Sequence, residues 1–238
     1  MGEKRSNSKF FIGIAVAVLV PLSCFFVVSE LSKKKERRMP RYYGVERTDS
    51  VIVNGKTPDT VFHKVTDLVL VNQFGKKVSI NNDLKGKILV IDFFFTTCPS
   101  ICPRLTTNMK MLQKLFKKDP KKEGSLDTVV QLISITVNPG RDTFGAMRIY
   151  ADRYGVNHDN WSFLTGDKKT IYDFARNELH LTVGPGDGGA DDFIHTEQLT
   201  LFDKDRYIRG YYDGLNDTSV IKCADDIVLL TMEWKHGK

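Results

Sequence analysis

Phe10 to Ser29, FFIGIAVAVLVPLSCFFVVS, is a run of 20 residues without a single charge. A helix of about 20 residues is about 30 Å long, the hydrocarbon thickness of a bilayer, so the run reads as one membrane anchor at residues 10–29 behind a short tail at 1–9. Pro21 lies inside it, where proline kinks a helix, and so does Cys24. Two rival readings fit less well. A cleaved signal peptide ends its shorter apolar core on small residues, whereas Phe25, Phe26, Val27 and Val28 keep this run apolar to its end. A lipidated Cys24 would follow a motif of the Leu-Ala-Gly type, and Pro21-Leu22-Ser23 is a poor version of it.

The formal charge of +6 belongs to the same region. Residues 1–41 hold nine Lys or Arg against Glu3, Glu30 and Glu36, while the other 197 residues carry 26 basic and 26 acidic side chains. A nucleic-acid binder concentrates positive charge on its folded part, so nucleic acid is excluded as a partner. Three basic residues precede the span and six follow it closely, which by the positive-inside rule would place the C-terminal part in the cytoplasm.

Residues 39–60 show no clear helix or strand period, and 30–60 are expected to form a linker or docked arm, with the folded domain at 61–238. Leu68 to Ser79 alternates around a turn at Asn72 to Gly75, which predicts a hairpin, and Ile88 to Phe95 reads as a buried strand. Leu105, Met109, Leu112, Leu115 and Phe116 form the apolar stripe of a helix over 103–118, with Pro103 near its first turn. A strand at 129–137, a helix at 143–154, a strand at 161–164 and a helix at 169–179 follow. A glycine-rich loop at 184–189, a hairpin (198–202 and 207–212) and a helix at 219–234 close the chain. This alternation predicts an α/β sheet with crossover helices, in an order compatible with a thioredoxin-like fold.

Four cysteines in a chain of this size are too few for a disulfide framework. Cys98 and Cys102, in Cys98-Pro-Ser-Ile-Cys102-Pro103, lie between the buried strand and an amphipathic helix, where a helix N-terminus favours thiolates. The pair can close a disulfide or hold one ion. Two thiolates suit Cu(I), whereas a tetrahedral zinc site would want two further ligands. The turn residues around the pair speak against two inert core thiols. His195 opens the last hairpin and, in a thioredoxin-like sheet, approaches the cysteine strand, although a lone histidine is more often a surface or hydrogen-bonded residue. His63, His158, His180 and His236 are read that way, and Cys223 as a core thiol.

Phe95-Thr-Thr-Cys98-Pro-Ser-Ile-Cys102-Pro103, Ile135-Thr-Val-Asn-Pro-Gly-Arg-Asp-Thr143, Trp161-Ser-Phe-Leu-Thr-Gly166 and His195-Thr196 together resemble the Sco/SenC family over roughly residues 61–234. The resemblance implies a thioredoxin-like fold, a single N-terminal membrane span in the inner membrane and a domain facing the periplasm, against the charge count. It implies copper binding by Cys98, Cys102 and His195, with the carried state, Cu(I) or Cu(II), left open. It also implies a copper chaperone that serves the dinuclear copper site of cytochrome c oxidase subunit II, or a thiol-disulfide oxidoreductase that reduces a partner's cysteines. Asn138 stands where the family usually has Asp, and Thr196 where Ser is common, which puts electrostatic tuning of the site in doubt but not the three ligands.

Overall fold

The computed structural model describes residues 8–34, 45–48, 60–116, 128–181 and 196–236. The chain divides into two compact units, Met1–Arg38 and Met39–Lys238. The first is a helix, α1 (Ser8–Lys34), with Pro21 inside it. None of its stretch Ile12–Ser29 is buried, and by length and composition that stretch is a candidate membrane span.

In the second unit a short pair precedes the main sheet: β1 (Val45–Thr48) runs antiparallel to β2 (Thr60–Phe62). Residues 39–60 show no strand period in the sequence. A four-residue strand whose pairing shifts between Val45 and Arg47 is too short to leave a period in the sequence. The main sheet is built from β3 (Val69–Asn72), β4 (Lys77–Ser79), β5 (Ile88–Phe94), β6 (Val130–Thr136), β7 (Trp161–Thr165), β8 (Gln198–Phe202) and β9 (Ile208–Asp213), in the order β4-β3-β7-β6-β5-β8-β9. The neighbours β5, β6 and β7 are parallel and the outer pairings antiparallel.

Every residue of β5 and of β6 is buried, as expected of central parallel strands covered on both faces. Ile88, Val90 and Phe94 meet the apolar sides of α2 (Ile101–Leu115), α3 (Phe144–Arg153) and α5 (Asp217–His236). Leu89, Ile91 and Phe93 meet a second layer that contains Ile171 and Tyr172 of α4 (Lys168–Asp173) and Phe174. The helix expected at 169–179 is thus α4 followed by a wider turn over Phe174–Glu178, in which the Leu179 N–H reaches the Phe174 carbonyl at 3.1 Å. At the other end of the sheet, buried Arg206 donates to the carbonyls of Ile80 and Lys87, at 2.8 and 2.9 Å, and so clips the loop before β5 to the β8–β9 turn.

One carboxylate interrupts the apolar face of β5. Asp92 is 1% exposed and accepts from the Ser134 hydroxyl at 2.5 Å, while the Trp161 indole donates to the same Ser134 oxygen at 2.9 Å. Among the described residues its Oδ2 has no hydrogen-bond partner. Burial pushes the Asp92 carboxyl up to about 7, with the Ser134 hydrogen bond pulling the other way. The folded protein therefore holds a proton that the unfolded chain releases near pH 4, and stability falls as pH rises from about 4 to about 7. A separation of about three pH units corresponds to about 4 kcal/mol. Asp92→Asn is expected to remove this dependence, so its urea midpoint at pH 7.5 should gain on the wild type relative to pH 5. Parallel wild-type and variant curves would refute the assignment.

Candidate functional site

β5 ends at Phe94, α2 begins at Ile101, and the turn between them is closed by the Cys98 N–H on the Phe95 carbonyl at 3.2 Å. Ser100 occupies the cap position of α2 but makes no side-chain cap bond, and the first turn holds no acidic residue. The Cys98 sulfur takes the vacant role: the Cys102 N–H donates to Cys98 Sγ at 3.3 Å. Pro103 follows, at a first-turn position where a missing N–H leaves no helical bond unmade.

The two thiols differ in kind. Cys98 is half-buried, and partial burial alone would raise its pKa. That effect is outweighed by the Cys102 N–H and thiol and by the Ser100 and Ile101 backbone, so the Cys98 thiol lies below its ordinary value. Cys102 is 5% exposed and faces the core beside Phe94 and Leu105. Burial, its hydrogen bond to Cys98, and the Cys98 and Asp92 charges push it up to about 12, against a smaller pull from the Phe95 backbone. Spacing alone predicts two sulfurs at a helix N-terminus that favours both thiolates. In the structure only Cys98 receives that help, because Cys102 sits one residue inside the helix on its buried side.

A cavity of about 620 Å³ opens over both cysteines. Its far wall is Thr196, Glu197 and Gln198 at the start of β8, together with Tyr211 and Asp213 on β9. The antiparallel pairing of β8 with β5, Ile91 opposite Thr200, turns the start of β8 toward the end of the cysteine strand. Gly214 belongs to the same wall construction. Its N–H donates to the Glu197 carbonyl at 2.7 Å, and a side chain there would collide with Leu105 of α2. Glu197, Tyr211 and Asp213 carry no motif that marks them in the sequence; only the sheet order brings them to the cysteines.

His195 and the glycine-rich loop at 184–189 lie outside the described residues. Among the described residues no three His, Cys, Asp or Glu side chains form a metal-binding group. The other histidines stand elsewhere. His63 meets Glu178 at 3.0 Å and packs its ring on His180, while His158 lies between Asp152 at 2.8 Å and Gln73 at 2.9 Å. His236 is in the last turn of α5. Cys223 is fully buried on α5 and its thiol is pushed far up by burial, the core thiol expected of it.

With this geometry in view, residues 57–228 match the sequence model of the SCO1/SenC family. The chain belongs to the SCO1/SenC family. It is 33% identical over 171 residues to the SCO1 homologue of Bacillus subtilis strain 168, covering 71% of this chain and 82% of that protein. It spans about half the length, 49–53%, of the mitochondrial SCO2 homologues of Mus musculus, Danio rerio and Bos taurus. Among solved structures it resembles BsSco, a Sco-family cytochrome c oxidase assembly protein with an identified disulfide switch. That match has 32% identity and a TM-score of 0.58, and covers 71% of this chain and 94% of BsSco. Copper-bound ScoI of Bradyrhizobium japonicum shares the fold at 24% identity and a TM-score of 0.53, over 69% of this chain and 98% of that one. The α/β sheet of this chain is thus the thioredoxin-like sheet of Sco proteins.

The asymmetry of the thiols has a direct readout. At pH 8 iodoacetamide is expected to label Cys98 of the reduced, folded chain first and leave Cys102 and Cys223 unlabelled until urea is added. Peptide mass spectrometry checks this, and equal labelling of Cys98 and Cys102 would contradict it.

Proposed function

We propose that this chain is a membrane-anchored copper chaperone that carries one copper ion on Cys98, Cys102 and His195 and helps assemble the dinuclear copper site of cytochrome c oxidase. The observation that carries the reading is the cavity over the cysteine pair, which is lined by Cys98, Cys102 and Thr196, the residue next to His195. Two soft thiolates and an imidazole form a donor set suited to Cu(I). The copper-bound relative supports the cargo, and the membership of BsSco among cytochrome c oxidase assembly proteins supports an acceptor in that oxidase, for which we propose the second subunit.

The protein's residues divide the work. Cys98 is partly exposed and held toward its thiolate, so it meets incoming copper and is also the ligand an acceptor can reach. Cys102 must lose its proton as copper binds, so binding releases protons and weakens as pH falls. Residues 1–9 form a tail, 10–29 the anchor, 30–60 the linker and 61–238 the working domain. The domain faces the periplasm from the inner membrane, with the basic residues after the span on that side.

A second reading rests on the unequal thiols. The Cys98 thiolate would attack a partner disulfide and release one partner thiolate; Cys102 would then lose its proton, attack the mixed disulfide at Cys98 and release the other. Two electrons pass to the partner, and Cys98–Cys102 becomes the disulfide, as the disulfide switch of BsSco suggests.

An anaerobic Cu(I) competition titration of the reduced full chain in detergent separates the two. One copper per chain is expected. His195→Ala should weaken binding by more than the roughly 10–100-fold that loss of an outer-shell partner costs a metal site, and Cys98→Ser or Cys102→Ser should abolish it. Tight binding that ignores His195→Ala would remove that residue from the site. Absence of competitive binding would overturn the chaperone reading and leave dithiol exchange.

A further inference from the structure

Asp142 is 0% exposed although it lies on the loop between β6 and α3. Its carboxylate collects three hydrogen bonds. The Thr96 backbone N–H reaches Oδ2 at 3.0 Å, the Thr96 hydroxyl reaches Oδ1 at 2.5 Å, and the Thr136 hydroxyl reaches Oδ2 at 2.6 Å. A buried carboxylate tolerates its surroundings only when donors satisfy it, so these contacts define where each partner must stand. Thr136 is the last residue of β6, and Thr96 stands two residues before Cys98.

The rest of the loop is fixed independently. The Asn138 carbonyl accepts the N–H groups of Arg141 and Asp142 at 3.0 and 2.9 Å, the Val137 N–H reaches the Phe94 carbonyl at 2.9 Å, and Thr143 caps α3 through Ala146. Asp142 is therefore presented from a rigid support. On the other side, the turn from Phe95 to Cys98 is short and lies at the cavity mouth, with Thr97 exposed. A two-point grip on Thr96 restrains this turn at its start, while the Cys102 N–H meets the Cys98 sulfur at its end.

We propose that Asp142 is a positioning residue for the copper site: through Thr96 it sets the path of the turn that holds the Cys98 sulfur over the first turn of α2. The proposal rests on the copper reading for what the position serves, but the position itself is measurable without copper. Losing the grip lets the turn relax and takes the sulfur away from the N–H groups that favour its thiolate. The sign is diagnostic. Removal of a nearby carboxylate charge would by itself make the Cys98 thiol more acidic, whereas loss of position makes it less acidic.

The test uses the full chain in detergent with Thr96→Val and, separately, Asp142→Asn. Thr96→Val keeps the carboxylate and the backbone N–H and deletes only the hydroxyl contact, so it carries the test should Asp142→Asn fail to fold; urea unfolding reports which variants are folded. The pH midpoint of Cys98 alkylation by iodoacetamide, read without copper, is expected to rise in every folded variant. Cu(I) affinity is expected to fall about tenfold or more, the loss typical of removing an outer-shell partner, at an unchanged stoichiometry of one. A midpoint that stays or falls in folded Thr96→Val overturns the proposal, as does a risen midpoint with unchanged affinity in a chain that binds copper. A wild type that binds no copper would overturn the chaperone reading instead, and the midpoint would still decide whether Asp142 positions the thiol.

Discussion

The contact between the Cys102 N–H and the Cys98 sulfur joins the fold to its chemistry. A helix that starts directly from a central parallel strand leaves its first N–H groups without partners, and α2 has no side-chain cap to satisfy them. A sulfur takes that place. The same placement lowers the Cys98 thiol, exposes it to the cavity, and leaves Cys102 one turn further on in the core with a proton it gives up only to a strong competitor.

That arrangement requires the end of β5 to stand still, and two buried carboxylates flank it. Asp92 lies beneath the site on the inner face of the strand, and Asp142 reaches across from the neighbouring loop. They differ in their supply of donors. Three hydrogen bonds satisfy Asp142, whereas among the described residues Asp92 has the Ser134 hydroxyl on one oxygen and no partner on the other, which is why burial dominates its pKa. Buried polar groups in a β-strand are costly unless paired, and when the unpaired group is a carboxyl it takes up a proton in the folded state, which makes stability depend on pH.

Much of this was legible in the sequence. The β5 strand emerges as a continuous apolar run because both its faces are buried, the α2 stripe from a period of 3.6 at Leu105, Met109 and Leu112, with Leu115 of the expected stripe exposed, and the hairpin at 68–79 from alternation about its turn. Cys98 and Cys102 stand out by spacing. What stayed hidden depends on contacts distant in sequence. β1 is too short to show a period, and Glu197 and Tyr211 reach the cavity only through the pairing of β8 with β5 and β9. The grip of Asp142 on Thr96 joins residues 46 positions apart. The unequal acidity of the two thiols was missed for a related reason: spacing places both sulfurs at the helix N-terminus, but only Cys98 receives its N–H groups, while Cys102 turns into the core.

The central claim is that two sulfurs of this chain and one imidazole hold a single copper ion. Copper K-edge X-ray absorption of the copper-loaded full chain in detergent, beside His195→Ala, tests it most directly. The account predicts a first shell of two sulfurs and one nitrogen, with the nitrogen contribution lost in the variant. A shell lacking either sulfur, or one in which the nitrogen survives His195→Ala, would contradict it.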